Sequence, residues 1–333
     1  MRRILDFGRE VTFLSYAASG GGEEGRGIHG KKFDYIDETG RFGKKTWELA
    51  EAEMARVTLN LALKKGNFKT DELDALLAGD LENQCVASSS GLYSFGIPYI
   101  GLYSACSTAT EALLVLSTLL SSGNIQRGAC VTGSHNSAAE RQFRTPVEYG
   151  GQRSPSAQWT ATAAGAFVLG QGGNVRIREG IIGKIIDGLT KDTSNMGAAM
   201  ARAAFDTIYT YFSLSALSPE DFDAVVTGDL GIVGRDILRE LLSKEVKGLS
   251  EKLIDCGEII YDRKIQDCHA GGSGCGVSAS MLAAHFLPEI ENGGLKRILF
   301  LSTGALMSPM SVLQGESILG IAPALRIERC DLP

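Results

Sequence analysis

The twelve residues TDELDALLAGDL at 70–81 come back as PEDFDAVVTGDL at 219–230, and this recurrence restricts the fold more than any other feature of the chain. Asp74 matches Asp223, Gly79 matches Gly228 and Asp80 matches Asp229, all at one offset. A second pair follows at a similar offset, SACSTATEA (104–112) against SGCGVSASM (273–281), which sets Cys106 opposite Cys275. Each is followed by a helical stretch and then by an apolar run ending in Thr-Gly, RGACVTG (127–133) and RILFLSTG (297–304). Identities that recur in the same order at several separated places indicate a duplicated unit rather than chance agreement. Short apolar runs bounded by turn residues read as buried strands, and strands alternating with helices imply a mainly parallel sheet with helices packed on it. The expected fold class is α/β, in two duplicated α/β halves.

The expected division is an N-terminal extension and loop over 1–45, a first half over 46–185 and a second half over 186–333. Within the extension, SGGGEEGRGIHGKKFD (19–34) is Gly-rich and charged, and reads as an exposed loop. A helix is predicted to start with Thr46 as its N-cap and Glu48 in its first turn, and to stop at Lys64, Lys65 and Gly66. With 333 residues, 44% of them hydrophobic, the chain can bury a large core. A net charge of -6 with no basic run argues against a nucleic-acid partner. No signal-type apolar segment follows the first arginines and nowhere do eighteen apolar residues run together, so an intracellular protein that does not span a membrane is expected. Seven cysteines without a CxxC pair suggest reduced thiols rather than a disulfide or zinc framework. No metal site and no cofactor is expected.

GLYSACSTATEA (101–112) puts Cys106 where an apolar run stops and a helical pattern begins. Unpaired amides and the aligned dipole at a helix start favour a thiolate, so this is where a covalent catalyst keeps its nucleophile. His135 follows the strand RGACVTGS, and ligands of open α/β sheets gather beyond the carboxyl ends of strands. The polar excursion from Ser134 to Gln158 carries Arg141, Arg144 and Arg153. Their guanidinium forks suit a carboxylate ligand, and they equally suit pairing with Glu140 and Glu148 or stabilising a dimer. His269, before a glycine run, either approaches Cys106 across the halves or is structural. His29 and His285 are assigned no role.

These residues together resemble a known family. LLAGDLENQ (76–84), GLYSACSTATE (101–111), SHNSAAERQFRTPVEYGGQ (134–152), DCHAGGSGCGVSAS (267–280) and STGALMSP (302–309) are similar to the thiolase and ketoacyl-synthase superfamily and, within it, to the stage V sporulation protein AD family of spore-forming bacteria. The resemblance covers roughly Thr46 to Arg329 and implies a thiolase-like fold of α-β-α-β-α layers and a homodimer. It implies a non-catalytic protein that binds dipicolinic acid (pyridine-2,6-dicarboxylate), free or as its calcium chelate, and takes part in its uptake into the spore. The implied partners are channel proteins at the spore inner membrane, where the protein would be peripheral. Condensing enzymes carry a His in the loop that reads TGDLGIVG here, and STGALMSP offers no second cysteine, so Cys106 is implied to be a vestigial nucleophile. The implied ligand set is Cys106, His135, Arg141, Arg144, His269 and Ser308. The alternative is an active acyl-thioester transferase that uses Cys106 with His135 or His269 as base.

Overall fold

A computed structural model describes residues 3–8, 11–143, 153–246 and 248–332. Ten strands carry the architecture. Five are β1 (Thr12–Gly21), β2 (Ala75–Gly79), β3 (Tyr99–Gly101), β4 (Gly128–Ser134) and β5 (Ala163–Gly170). The others are β6 (Val175–Ile181), β7 (Ala224–Thr227), β8 (Leu253–Asp255), β9 (Arg297–Leu301) and β10 (Ala324–Arg329). The first set runs in the order β3-β2-β4-β5-β1 and the second in the order β8-β7-β9-β10-β6. In each set the first three strands are parallel and the remaining pairings antiparallel. The sets touch where Thr12 and Phe13 of β1 face Arg176 and Val175 of β6. In this pairing β6 takes in the second set the place that β1 takes in the first, so its residues group with the later strands.

Alternate residues of a strand face opposite ways, and here both faces are buried. Leu76 and Ala78 of β2, with Ala129 and Val131 of β4, pack under Ala55, Leu59 and Ala62 of helix α1 (Trp47–Gly66). Leu77 and Cys130 point the other way, into the largest core, where Leu113 and Leu116 of α2 (Thr108–Ser121) meet Ile298 and Phe300 of β9. Leu299 and Leu301, the intervening residues of β9, pack against Met200 and Ile208 of a helix spanning Met196–Leu214. Helix, sheet, helix, sheet, helix follows from these facings, which is the layered α/β fold.

The repeat is reproduced to the level of single hydrogen bonds. Asp74 Oδ2 accepts the amides of Gln126 and Arg127 at 2.7 and 3.1 Å, just before β4. Asp223 Oδ2 accepts those of Lys296 and Arg297 at 2.6 and 2.9 Å, just before β9. Thr46 caps α1 as expected, its side chain accepting from the Leu49 amide. At the other end the helix runs through Gly66, and Asn67, with φ 55°, takes the left-handed C-cap conformation.

The exposed loop expected at 19–34 is not what forms. Ser19, Gly20 and Gly21 end β1, which lies inside the joined sheet, and the Ser19 hydroxyl is bonded to that of Thr58 on α1. Of the charges that follow, Glu24 is buried and accepts from the Tyr261 hydroxyl and the Thr162 amide, whereas Arg26, Lys31, Lys32 and Asp34 are exposed as expected. In the second set, Glu328 of β10 is fully buried; its Oε1 takes Nε and Nη2 of Arg176 at 2.9 and 2.7 Å, and its Oε2 takes Nε of Arg297 at 2.6 Å.

Candidate functional site

The end of β2 and the segment entering α2 come unusually close. A Cβ on Gly79 would lie 2.1 Å from the Leu102 carbonyl oxygen, so the approach requires glycine. The chain then turns through Ala105, held at φ 48°, a conformation that costs a non-glycine residue about 1–3 kcal/mol. Cys106 follows, half-buried, in the turn Ala105–Ser107 that opens α2. It stands on the wall of a cavity of about 360 Å³, formed with Leu81 and Tyr103 on one side and Met200, Met307 and Ser308 on the other. Among the described residues that line this cavity none is charged. Its polar groups are hydroxyls, the Cys106 thiol and backbone.

Beneath Cys106 lies Asp229, from the second copy of the repeat. It is 1% exposed, accepts the Gly274 amide at 2.8 Å and the Thr303 hydroxyl at 2.8 Å, and takes a hydrogen bond from the Cys106 thiol. Burial pushes its carboxyl up to about 6, against the pull of these donors. The partner of Cys106 is thus a carboxylate in the loop where a condensing enzyme would hold an imidazole. Acyl transfer by cysteine needs the thiolate and a proton acceptor that does not repel it; a carboxylate meets the second need poorly. Cys275, matched to Cys106 by the repeat, is fully buried and gives its thiol hydrogen to the Gly133 carbonyl oxygen at 3.0 Å. The duplication therefore leaves one cysteine on a cavity and one in the core.

Of the residues in the implied ligand set, Cys106 and Ser308 line the cavity. Ser308 also caps the turn Pro309–Leu313, its hydroxyl accepting from the Ser311 amide. His135 is 2% exposed and packs against Trp47 with the rings tilted by 32° and their centres 5.2 Å apart. Its Nε2 donates to the Gly40 carbonyl oxygen at 2.8 Å, and burial holds its pKa below the usual range. It borders a separate cavity of about 210 Å³ with Trp47 and Trp159. Arg141, on helix α3 (Asn136–Phe143), pairs with Glu48 rather than with Glu140, which accepts from Thr160. His269 is held between the Ser154 carbonyl oxygen and Asp267. Arg153 pairs with the same Asp267 and lies over the Trp159 ring. Arg144 lies outside the described residues. Asp229 is not in the implied set, although its match to Asp80 in the repeat marks it.

Among the described residues no group of three His, Cys, Asp or Glu side chains could hold a metal ion. No described helix is long and apolar enough to cross a membrane.

Comparison with solved structures gives the fold a class. The chain superposes on a variant of OleA of Xanthomonas campestris with a TM-score of 0.61 at 14% identity, covering 97% of this chain and 99% of that one. It superposes on 3-oxoacyl-[acyl-carrier-protein] synthase III of Aquifex aeolicus VF5 with a TM-score of 0.58 at 14% identity, covering 95% and 99%. At such identity the likeness shows the thiolase-like fold and nothing of chemistry. The stage V sporulation protein AD of Bacillus subtilis (strain 168) is 39% identical over 324 residues, 97% of this chain and 96% of the relative. The family model for stage V sporulation protein AD (SpoVAD) matches residues 1–328. Repeat, fold and full-length match converge: the chain belongs to the stage V sporulation protein AD family, and its role is in sporulation.

Proposed function

We propose that the protein binds dipicolinic acid without catalysis and hands it on during uptake into the developing spore. The observation that carries the non-catalytic half is the Cys106 thiol bonded to the Asp229 carboxylate, with His135 and His269 both engaged elsewhere. The choice of ligand rests on membership of the family. The described lining is neutral, and burying a dianion without cations costs several kcal/mol, so the uncharged calcium chelate suits it better than the free acid.

Calorimetric titration with dipicolinate, with and without calcium, tests this. Binding is expected in both cases and tighter with calcium; no heat with either at about millimolar ligand would overturn it. The mostly apolar walls give some support to the acyl-thioester alternative, and a stable mass increase on Cys106 after incubation with an acyl-CoA would replace the binding reading with that one.

The proposal extends to partners. Channel proteins at the spore inner membrane would receive the ligand, with this chain peripheral to that membrane. A homodimer would form through β3, an edge strand whose Tyr99 and Ile100 are 40% and 41% exposed beside Tyr93 and Tyr103. Unpaired edges with apolar side chains are templates for pairing with a second copy. Light scattering should give twice the chain mass, and Ile100→Lys should halve it; a wild-type monomer would remove the dimer.

A further inference from the structure

Three carboxyl groups meet where the cavity wall is anchored to α1. Glu51, on α1, is 1% exposed, Glu82 is 3% exposed and Asp80 is 2% exposed. Asp80 is satisfied: its Oδ2 accepts the Ser88 amide and hydroxyl, and its Oδ1 accepts the Glu82 amide at 2.8 Å. Glu51 and Glu82 are not. Neither oxygen of Glu51, nor Oε1 of Glu82, has a well-formed donor; the groups that meet Glu51 are the Glu82 side chain and, as a looser donor that favours its charged form, the His135 backbone amide. Two buried carboxyls can lie against each other only by sharing a proton, because two anions there would repel strongly and lack solvation.

The segment this pair holds is strained and functional in position. Gln84 and Cys85 are consecutive non-glycine residues in the left-handed region, with φ 59° and 54°. Leu81, between Asp80 and Glu82, lines the Cys106 cavity, and its carbonyl oxygen and the Asn83 side chain both lie within reach of the Tyr103 hydroxyl. Strain of this kind persists only while the surroundings enforce it.

We propose that the proton shared by Glu51 and Glu82 is a latch: it fastens the segment Asp80–Cys85 to α1 and so sets the Leu81 wall, and its loss releases that wall and loosens the cavity. Burial pushes the Glu82 carboxyl up to about 7 and the Glu51 carboxyl well above its usual range, with Asp80 adding to both. The other titratable groups facing the cluster are His135 at the end of β4, Cys85 on the segment, Tyr99 on β3, Tyr103 after it and Cys275 from the second half. Burial drives the tyrosines and cysteines up and His135 down, away from neutrality. The sign follows from the direction of the shift. A carboxyl that holds its proton more tightly folded than unfolded stabilises the fold fully below the unfolded value of 4.5, and that stabilisation is lost as pH rises through about 7.

Hydrogen exchange of the amides over 83–90, read by mass spectrometry at about pH 6 and about pH 8 and corrected for intrinsic rates, tests the latch without any ligand. Wild type should exchange about tenfold faster at the higher pH after correction. Glu82→Gln and Glu51→Gln each keep a hydrogen-bonding group and remove the shared proton, so in both the corrected rates should be independent of pH. Equal protection of wild type at the two pH values would overturn the proposal. So would a wild-type pH response that survives in both variants.

Discussion

Glu328→Ala lowers the stability of the protein by about 3–5 kcal/mol, read as a lower urea midpoint followed by circular dichroism. The carboxylate is fully buried, between a two-pronged contact from Arg176 and a single one from Arg297, with Arg326 of the same strand 3.6 Å away. The Arg176 side chain is itself 3% exposed. Removing the acid leaves the Arg176 and Arg297 guanidinium groups without their carboxylate in a buried setting, although Arg326 keeps Glu179, and this is the situation that makes half of a buried ion pair so costly. Glu240→Ala is the control: its partner Lys244 is 64% exposed, and the loss should stay within about 0.5 kcal/mol. A Glu328→Ala penalty no larger than that of the control would mean that solvent reaches the cluster.

Asp229→Asn accelerates alkylation of Cys106 by iodoacetamide near neutral pH about tenfold or more. Only the thiolate reacts, and in the wild type it must form against a carboxylate that is ionised above about 6. Two unit charges about 4 Å apart repel by about 4 kcal/mol at an effective dielectric of 20, and water in the half-open cavity removes part of this. Asparagine keeps an oxygen for the Gly274 amide while discharging the site. Peptide mapping separates Cys106 from the other cysteines, most of which are buried. An unchanged rate would show that Asp229 does not restrain the thiol, and the case for a retired nucleophile would lose its main support.

The duplication was legible because its residues serve the backbone: Asp74 and Asp223 hold the amides that lead into β4 and β9, the same place in both copies. The predicted helix at Thr46 and the position of Cys106 were readable for the same reason, since capping and helix starts are local chemistry. β1 was partly hidden. Its end is Ala17, Ala18, Ser19, Gly20 and Gly21, where Ala17 and Ser19 meet α1 and the glycines leave room for Glu24, Phe33 and Thr162, and small residues followed by charges look like a loop. The cavity was half legible. Motif and strand position mark His135 as special without saying which way its ring turns, and it turns to Trp47 and Gly40. Asp229 was the least legible member of the site, because its loop stands out in the sequence for the histidine it lacks, and only the fold brings the acid under Cys106.

The placement of β1 bears on how the protein is made. Only its last residues, Ser19 to Gly21, find a nearby partner, the short strand Tyr35–Asp37; its long pairings, with β5 and the first residues of β6, reach some 150 residues further along the chain. A nascent chain must therefore keep most of this apolar segment in waiting until β5 and β6 have left the ribosome, because the local strand covers only its last three residues. A fragment beginning at Thr46 would lack the strand that closes the first sheet, and the two halves, for all their symmetry, should fold as one cooperative unit rather than in succession.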